Sequence, residues 1–167
     1  MYDQLKFAPR LGSIRTSDVN EALKFTETLI VEPHKMKLGE LQINEDGTVT
    51  NEVNRTVTQY GFESLCSILG IPNPFARKIP LDLLFTNISR LQKDRSDKDI
   101  VLLERPDGTV ANIVKSPYKE LPYSTILNHF LERKVEYVDV GEIMMTLALT
   151  FEETKFEDKL KAQGDEV

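Results

Sequence analysis

Apolar positions recur along the chain with two periods, and each change of period marks the edge of an element. Over 57–69, Phe62, Leu65, Cys66 and Leu69 stand at i, i+3, i+4 and i+7, one face of an α-helix. Thr56 or Thr58 offers the N-cap hydroxyl, Gly70 suits the position after the last turn, and Pro72 prevents continuation. The stretch 70–74 is then expected to be a turn or extended. Pro80 suits the start of a second helix, with Leu81, Leu84, Phe85, Ile88 and Leu91 as its buried stripe. Residues 93–99 read as a solvated loop. A third helix starts at Pro122, with Tyr123, Ile126, Leu127, Phe130 and Leu131 on one side.

The other period is two. Ile143, Met145, Leu147, Leu149 and Phe151 alternate with smaller or more polar residues, the mark of a half-buried strand of about nine residues. Residues 100–105 are almost continuously apolar, which suits a central strand. Pro106-Asp107-Gly108 turns that strand back onto 110–114. Leu41 and Ile43 alternate with polar neighbours, and Glu45-Asp46-Gly47 closes a hairpin over 36–50. A short strand fits 135–140. Within 1–35, Ser17-Asp18 suits the cap of a helix over 19–29, whereas Thr26, Thr28, Ile30 and Val31 favour strand. Helix and strand stay open there, and Pro33 is expected to close the region.

Asp46–Val53 and Asp107–Val114 match at six of eight positions. Two hairpins reusing one turn chemistry and a degenerate duplication both account for the match. The elements together give an α+β fold, a mostly antiparallel, hairpin-rich sheet with about three helices packed on one face. One domain is expected over 1–151, followed by a charged tail, 152–167, helical or disordered.

Composition narrows the class. A chain of 167 residues buries roughly 70% of its unfolded surface without a metal or disulfide staple. Cys66 is the one cysteine and lies on an apolar helix face, which suits packing in a reducing compartment. The opening MYDQLKFAPR lacks the apolar core of a secretory signal, and no window approaches a membrane span, so no membrane partner is expected. The net charge of −6 argues against polyanion binding through the whole surface, but binding responds to local potential.

No complete catalytic, metal or cofactor motif is present, and no cofactor is expected. Ser116-Pro117-Tyr118-Lys119 spells S-x-x-K, but it falls at a strand exit rather than a helix start and lacks companion elements. Asp107 with Glu132-Arg133-Lys134 or Glu153-Thr154-Lys155 resembles the scattered carboxylates of a metal-dependent phosphodiesterase, although Asp107 has a full explanation as a turn residue. His34 and His129 have no ligand spacing, and no glycine-rich phosphate loop occurs. A basic set remains. Arg77, Lys78, Arg105, Lys115 and Lys119 are candidates for phosphate, and Tyr118 or Phe75 for stacking on bases. Arg90, Lys93 and Arg95 form a helix-end group that Asp94, Asp97 and Asp99 dilute.

The order of Leu69-Gly70-Ile71-Pro72, Phe75 and Lys78, the helix over 81–91, Glu104-Arg105, Asp107-Gly108-Thr109-Val110, Ser116-Pro117-Tyr118 and Leu121-Pro122 resembles a family of phage- and plasmid-encoded proteins of unknown function. The resemblance covers about half of the chain and implies a mobile-element origin in a bacterial cytoplasm, with a lean toward DNA or RNA transactions or interference with the host. The expectation is therefore a non-catalytic accessory protein that contacts DNA or RNA in replication, recombination or host takeover. A protein-binding or self-associating assembly module and a metal-dependent phosphodiesterase are the alternatives.

Overall fold

A computed structural model describes residues 2–149. Its strands, in chain order, are β1 Phe7–Ala8, β2 Ile14–Thr16, β3 Glu32–Lys37, β4 Gln42–Ile43, β5 Val49–Thr50, β6 Asn54–Arg55, β7 Val57–Thr58, β8 Asp99–Glu104, β9 Val110–Lys115, β10 Val135–Val140 and β11 Met145–Leu149. Its helices are α1 Val19–Thr26, α2 Gln59–Ile68, α3 Asn73–Ala76, α4 Leu81–Asp94 and α5 Tyr123–Asn128. The fold is α+β, and its strands pair mostly antiparallel. Phe151 and the tail over 152–167 lie outside the described residues.

Where the pattern of the sequence suggests one domain, the described residues pack as two compact units. The first takes the chain up to Leu11 and Leu29–Glu120; the second takes Gly12–Thr28 and the residues from Leu121 onward.

In the first unit a five-stranded sheet runs in the order β1-β7-β9-β8-β3. β8 is antiparallel to both neighbours, and β7 is parallel to both of its own. Helices α2, α3 and α4 supply the layer over one face: Phe62, Leu65, Cys66, Ala76, Leu84, Phe85 and Ile88 join Val57, Ile100, Leu102, Val110 and Ile113 in one buried cluster. The same face of β9 contributes Val110 and Ile113, three residues apart, because the ladder shifts register between Leu103 and Glu104 of β8. Val101 and Leu103 are also buried, so the apolar run of β8 is covered on both faces. A smaller antiparallel sheet, β4-β5-β6, carries the first Asp-Gly hairpin.

The helix-turn chemistry read from the sequence is present in detail. The Thr58 hydroxyl accepts from the Gly61 N–H at 2.9 Å, fixing α2 to start at Gln59. Gly70 closes α2 with φ of +82°, a conformation costly for a side chain. The stretch after it is not wholly extended, since Pro72 precedes the short helix α3. Asp18 caps α1 by accepting from the Asn20 N–H at 2.9 Å, and a 3-10 turn, Glu27–Leu29, then leads the chain out. Pro33 does not end the segment but sits inside β3. That strand is the sheet edge, where a residue without an N–H is tolerated. The third helix is shorter than its apolar pattern suggests: α5 stops at Asn128, and Leu131 is exposed.

The two Asp-Gly turns are alike. Gly47 and Gly108 have φ of +87° and +83°. Asp46 and Asp107 each accept from the N–H of the threonine two residues on, at 3.0 and 2.8 Å. The likeness ends after the turn, because β5 has two residues and pairs with β6, whereas β9 has six and joins the large sheet.

The second unit is a three-stranded antiparallel sheet, β11-β10-β2, with α1 packed against α5 and β10. Val19, Ala22, Leu127, Val135, Val138 and Val140 are its buried apolar side chains. Arg15 and Asp139, directly opposite across β2 and β10, pair at 2.9 Å, and the Arg15 guanidinium lies 4.5 Å from the centre of the Tyr137 ring.

The Thr58 hydroxyl also donates to the Ala111 carbonyl at 2.6 Å, both groups being buried. Thr58→Ala therefore removes a helix cap and orphans a buried carbonyl, and we expect it to cost roughly 2–3 kcal/mol in urea unfolding. A loss below about half a kcal/mol would show that water replaces both bonds.

Candidate functional site

The fold separates the six candidate residues. Lys115 ends β9, and Tyr118 and Lys119 follow three and four residues later in a segment without helix or strand. The Ser116 N–H donates to the Asp99 carbonyl at 3.3 Å, which ties the start of that segment to the start of β8. Lys115 and Lys119 are exposed, and neither is in an ion pair among the described residues. Tyr118 is half-buried, and burial first, then the charge of Glu120, raises its phenol above the usual range. Lys37, at the same end of the sheet, is held by Asp99 at 2.6 Å.

Arg105 stands at the other end of the β8–β9 hairpin. Lys115 is opposite Ile100, five residues before it, so the two backbones are about 17 Å apart. It is also buried, with 7% of its surface exposed, and its Nη1 donates to the Pro9 carbonyl at 3.1 Å. Its assignment to phosphate is corrected: a guanidinium buried against the backbone ties the opening segment to the Pro-Asp-Gly turn. Its own N–H donates to the Thr109 carbonyl at 2.8 Å, closing that turn.

Arg77 is exposed but already paired. Its Nε and Nη2 donate to the two carboxylate oxygens of Glu63 at 2.7 and 2.8 Å, so the guanidinium is committed to a bidentate pair although its side chain stays 52% exposed. Lys78 beside it is exposed, as is Phe75. In the helix-end group, Arg90 and Lys93 are exposed, while Arg95 donates to the Leu69 carbonyl at the end of α2.

Glu63 and its partners were not legible in the sequence. The Glu63 side chain is 8% exposed on α2 and receives, besides Arg77, the Gln59 amide at 3.0 Å and the Tyr2 hydroxyl at 3.1 Å. The Tyr2 ring packs on Phe7 and Phe62, so the carboxylate fastens both the opening of the chain and α3 to α2. A charged residue beside Phe62 in an apolar helix is the one signal that could have marked it. The Arg77 hydrogen bonds hold the Glu63 carboxyl below its ordinary range against the opposing effect of burial. Burial, then the Glu63 charge, raises the Tyr2 phenol, and burial pushes the Cys66 thiol up to about 12, so Cys66 is a protonated packing group at neutral pH. Arg55 was missed as well: it pairs with Glu104 at 2.9 Å, and Arg55 Nη1 donates to the Gly108 carbonyl at 3.4 Å.

Ser116-Pro117-Tyr118-Lys119 has no helix to set its lysine one turn above the serine. Asp107 is an exposed turn residue whose carboxyl is lowered chiefly by the Thr109 N–H. Among the described residues no group of three or more His, Cys, Asp and Glu is placed to hold a metal ion, and no helix is long and apolar enough to cross a membrane. Glu153-Thr154-Lys155 lies outside the described residues.

The lowered Glu63 carboxyl fixes the sign of a pH effect. Its contribution to stability is full above the ordinary value of 4.5 and is lost as the pH falls through the lower folded value. Glu63→Gln should lower stability at pH 7 by about 1–3 kcal/mol and make the decline below that value shallower. An unchanged acid limb in thermal melts across pH would refute this. Comparison with protein-family models, with curated proteins and with solved structures finds no match, so the functional reading rests on the chain's own residues.

Proposed function

We propose that this chain is an accessory protein of phage or plasmid origin that acts in the bacterial cytoplasm by binding nucleic acid rather than by catalysis. The observation that carries this reading is local. Lys115, Tyr118 and Lys119 fall within five consecutive residues at one end of the large sheet, with both lysines exposed and outside any described ion pair. Two ammonium groups flanking an aromatic ring match the needs of a nucleic-acid strand, which presents phosphate charge and a flat base together. A patch of this size works within a Debye length of about 8 Å at physiological salt, so the chain's net charge of −6 does not cancel it. The setting comes from the motif order within 56–126, which resembles the mobile-element family.

Two lysines supply few phosphate contacts, and the salt dependence should be correspondingly shallow. Fluorescence anisotropy with labelled single- and double-stranded oligonucleotides, over a salt series, should give a log–log slope that Lys115→Gln with Lys119→Gln reduces by about 2 on duplex. Tyr118→Ala should weaken single-strand binding by about 1–3 kcal/mol with little change in slope. Failure of the wild-type protein to bind either oligonucleotide at low salt would overturn the reading.

A further inference from the structure

The edges of the two larger sheets are managed differently. β3, the long edge of the five-stranded sheet, carries Pro33, Lys35 and Lys37, residues that discourage another strand from adding. β2, one edge of the three-stranded sheet, has Arg15 at its centre. β11, the opposite edge, reads Met145-Thr146-Leu147-Ala148-Leu149, with neither charge nor proline. Among the described residues it pairs with β10 alone.

The direction of its free backbone groups follows from the hairpin. The Gly141 N–H donates to the Met144 carbonyl at 2.9 Å. Bonded and non-bonded pairs alternate along an antiparallel ladder. Asp139 with Thr146 and Tyr137 with Ala148 are then bonded pairs, and Val140 with Met145 and Val138 with Leu147 are not. Met145, Leu147 and, by the same alternation, Leu149 turn their N–H and C=O groups away from β10.

We propose that β11 is a self-association edge, where a second copy of this chain adds its own β11 antiparallel about a two-fold axis at Leu147. This inference does not depend on the nucleic-acid reading. The two-fold places Leu147 opposite its own copy, Met145 opposite Leu149 and Thr146 opposite Ala148. The residues whose backbone groups point outward thus meet each other as bonded pairs, and the half-buried row Met145, Leu147 and Leu149 continues into the same row of the second copy. Charge selects this occupant. Across a two-fold a central charge meets itself, which disfavours β2 through Arg15, whereas every residue of β11 is neutral and meets no like charge. One shared strand pair buries less than a standard interface of about 1,200 Å², so the dimer should be concentration-dependent.

The test uses the full chain in size-exclusion chromatography with light scattering across a concentration series. The mass should rise from 19.1 kDa toward its double. Thr146→Lys with Ala148→Lys, and separately Thr146→Glu with Ala148→Glu, should each stay monomeric while keeping the wild-type circular dichroism spectrum. An equimolar mixture of the two variants should recover the doubled mass, because the two-fold register sets lysine opposite glutamate. A wild-type chain that remains monomeric throughout would overturn the proposal, and would mean that the edge is open or covered by the chain's own further residues. A lysine variant that associates as well as the wild type, or a mixture that forms no heterodimer, would overturn it equally.

Discussion

The Thr58 hydroxyl, giving its proton to Ala111 and taking one from Gly61, is the contact on which the first unit turns. β7 is only two residues long and shares a single register pair with β9, Val57 opposite Val110, so the ladder alone aligns it weakly. The hydroxyl adds a second point of attachment and makes the strand end and the helix start one joint. Gly61 then brings α2 close to β9: a Cβ there would lie 3.2 Å from the Asn112 Cα and 3.3 Å from the Ala111 carbonyl oxygen. From that crossing, Phe62 and Leu65 reach the core, and Glu63 is left at its rim to collect Tyr2, Gln59 and Arg77.

Charged groups in this unit divide by what the backbone asks of them. Arg55, Arg77, Arg95 and Arg105 are each bound to carbonyls or carboxylates that fold-defining turns and helix ends would otherwise leave without partners. The planar fork of arginine suits that work, since it spans two acceptors at fixed angles. Lysines lie mostly at the exposed end of the sheet and on its edge strand. These four guanidinium groups serve the architecture, whereas Lys115 and Lys119 are exposed, as are Arg10 and Arg90.

What was legible in the sequence is what depends on neighbours along the chain. The stripe Phe62, Leu65, Cys66 and Leu69, the cap at Thr58 and the glycines at 47, 70 and 108 all follow from local spacing and are present. The alternation over 143–151 gives β11 over Met145–Leu149 among the described residues, with Ile143 before the strand and exposed. The α+β class follows from them. The site was less legible, because it depends on separations the chain does not display. Nothing local distinguishes Arg105, which meets Pro9 across 96 positions, from Lys115, which stays in solvent. The pairing of Glu63 with Arg77 spans 14 positions and a turn, and Pro33 was misread because edge and interior strands look the same until the partners are known. The division into two units was hidden for a like reason: β2 and α1 belong with strands more than a hundred residues later.

That last pairing imposes an order of events on a chain made from its N-terminus. β2 and α1 emerge before 29–120, and their strand partner β10 and helix partner α5 come only after the whole of that stretch. Until then Val19 and Ala22 have no second layer, while the first unit has every one of its strands in hand once β9 is complete. The first unit is positioned to form on the ribosome, and the second waits for synthesis to pass residue 149 before its sheet can close. An interruption of synthesis between those points leaves the first unit complete and the second incomplete, with Val19 and Ala22 of α1 lacking the partners that bury them.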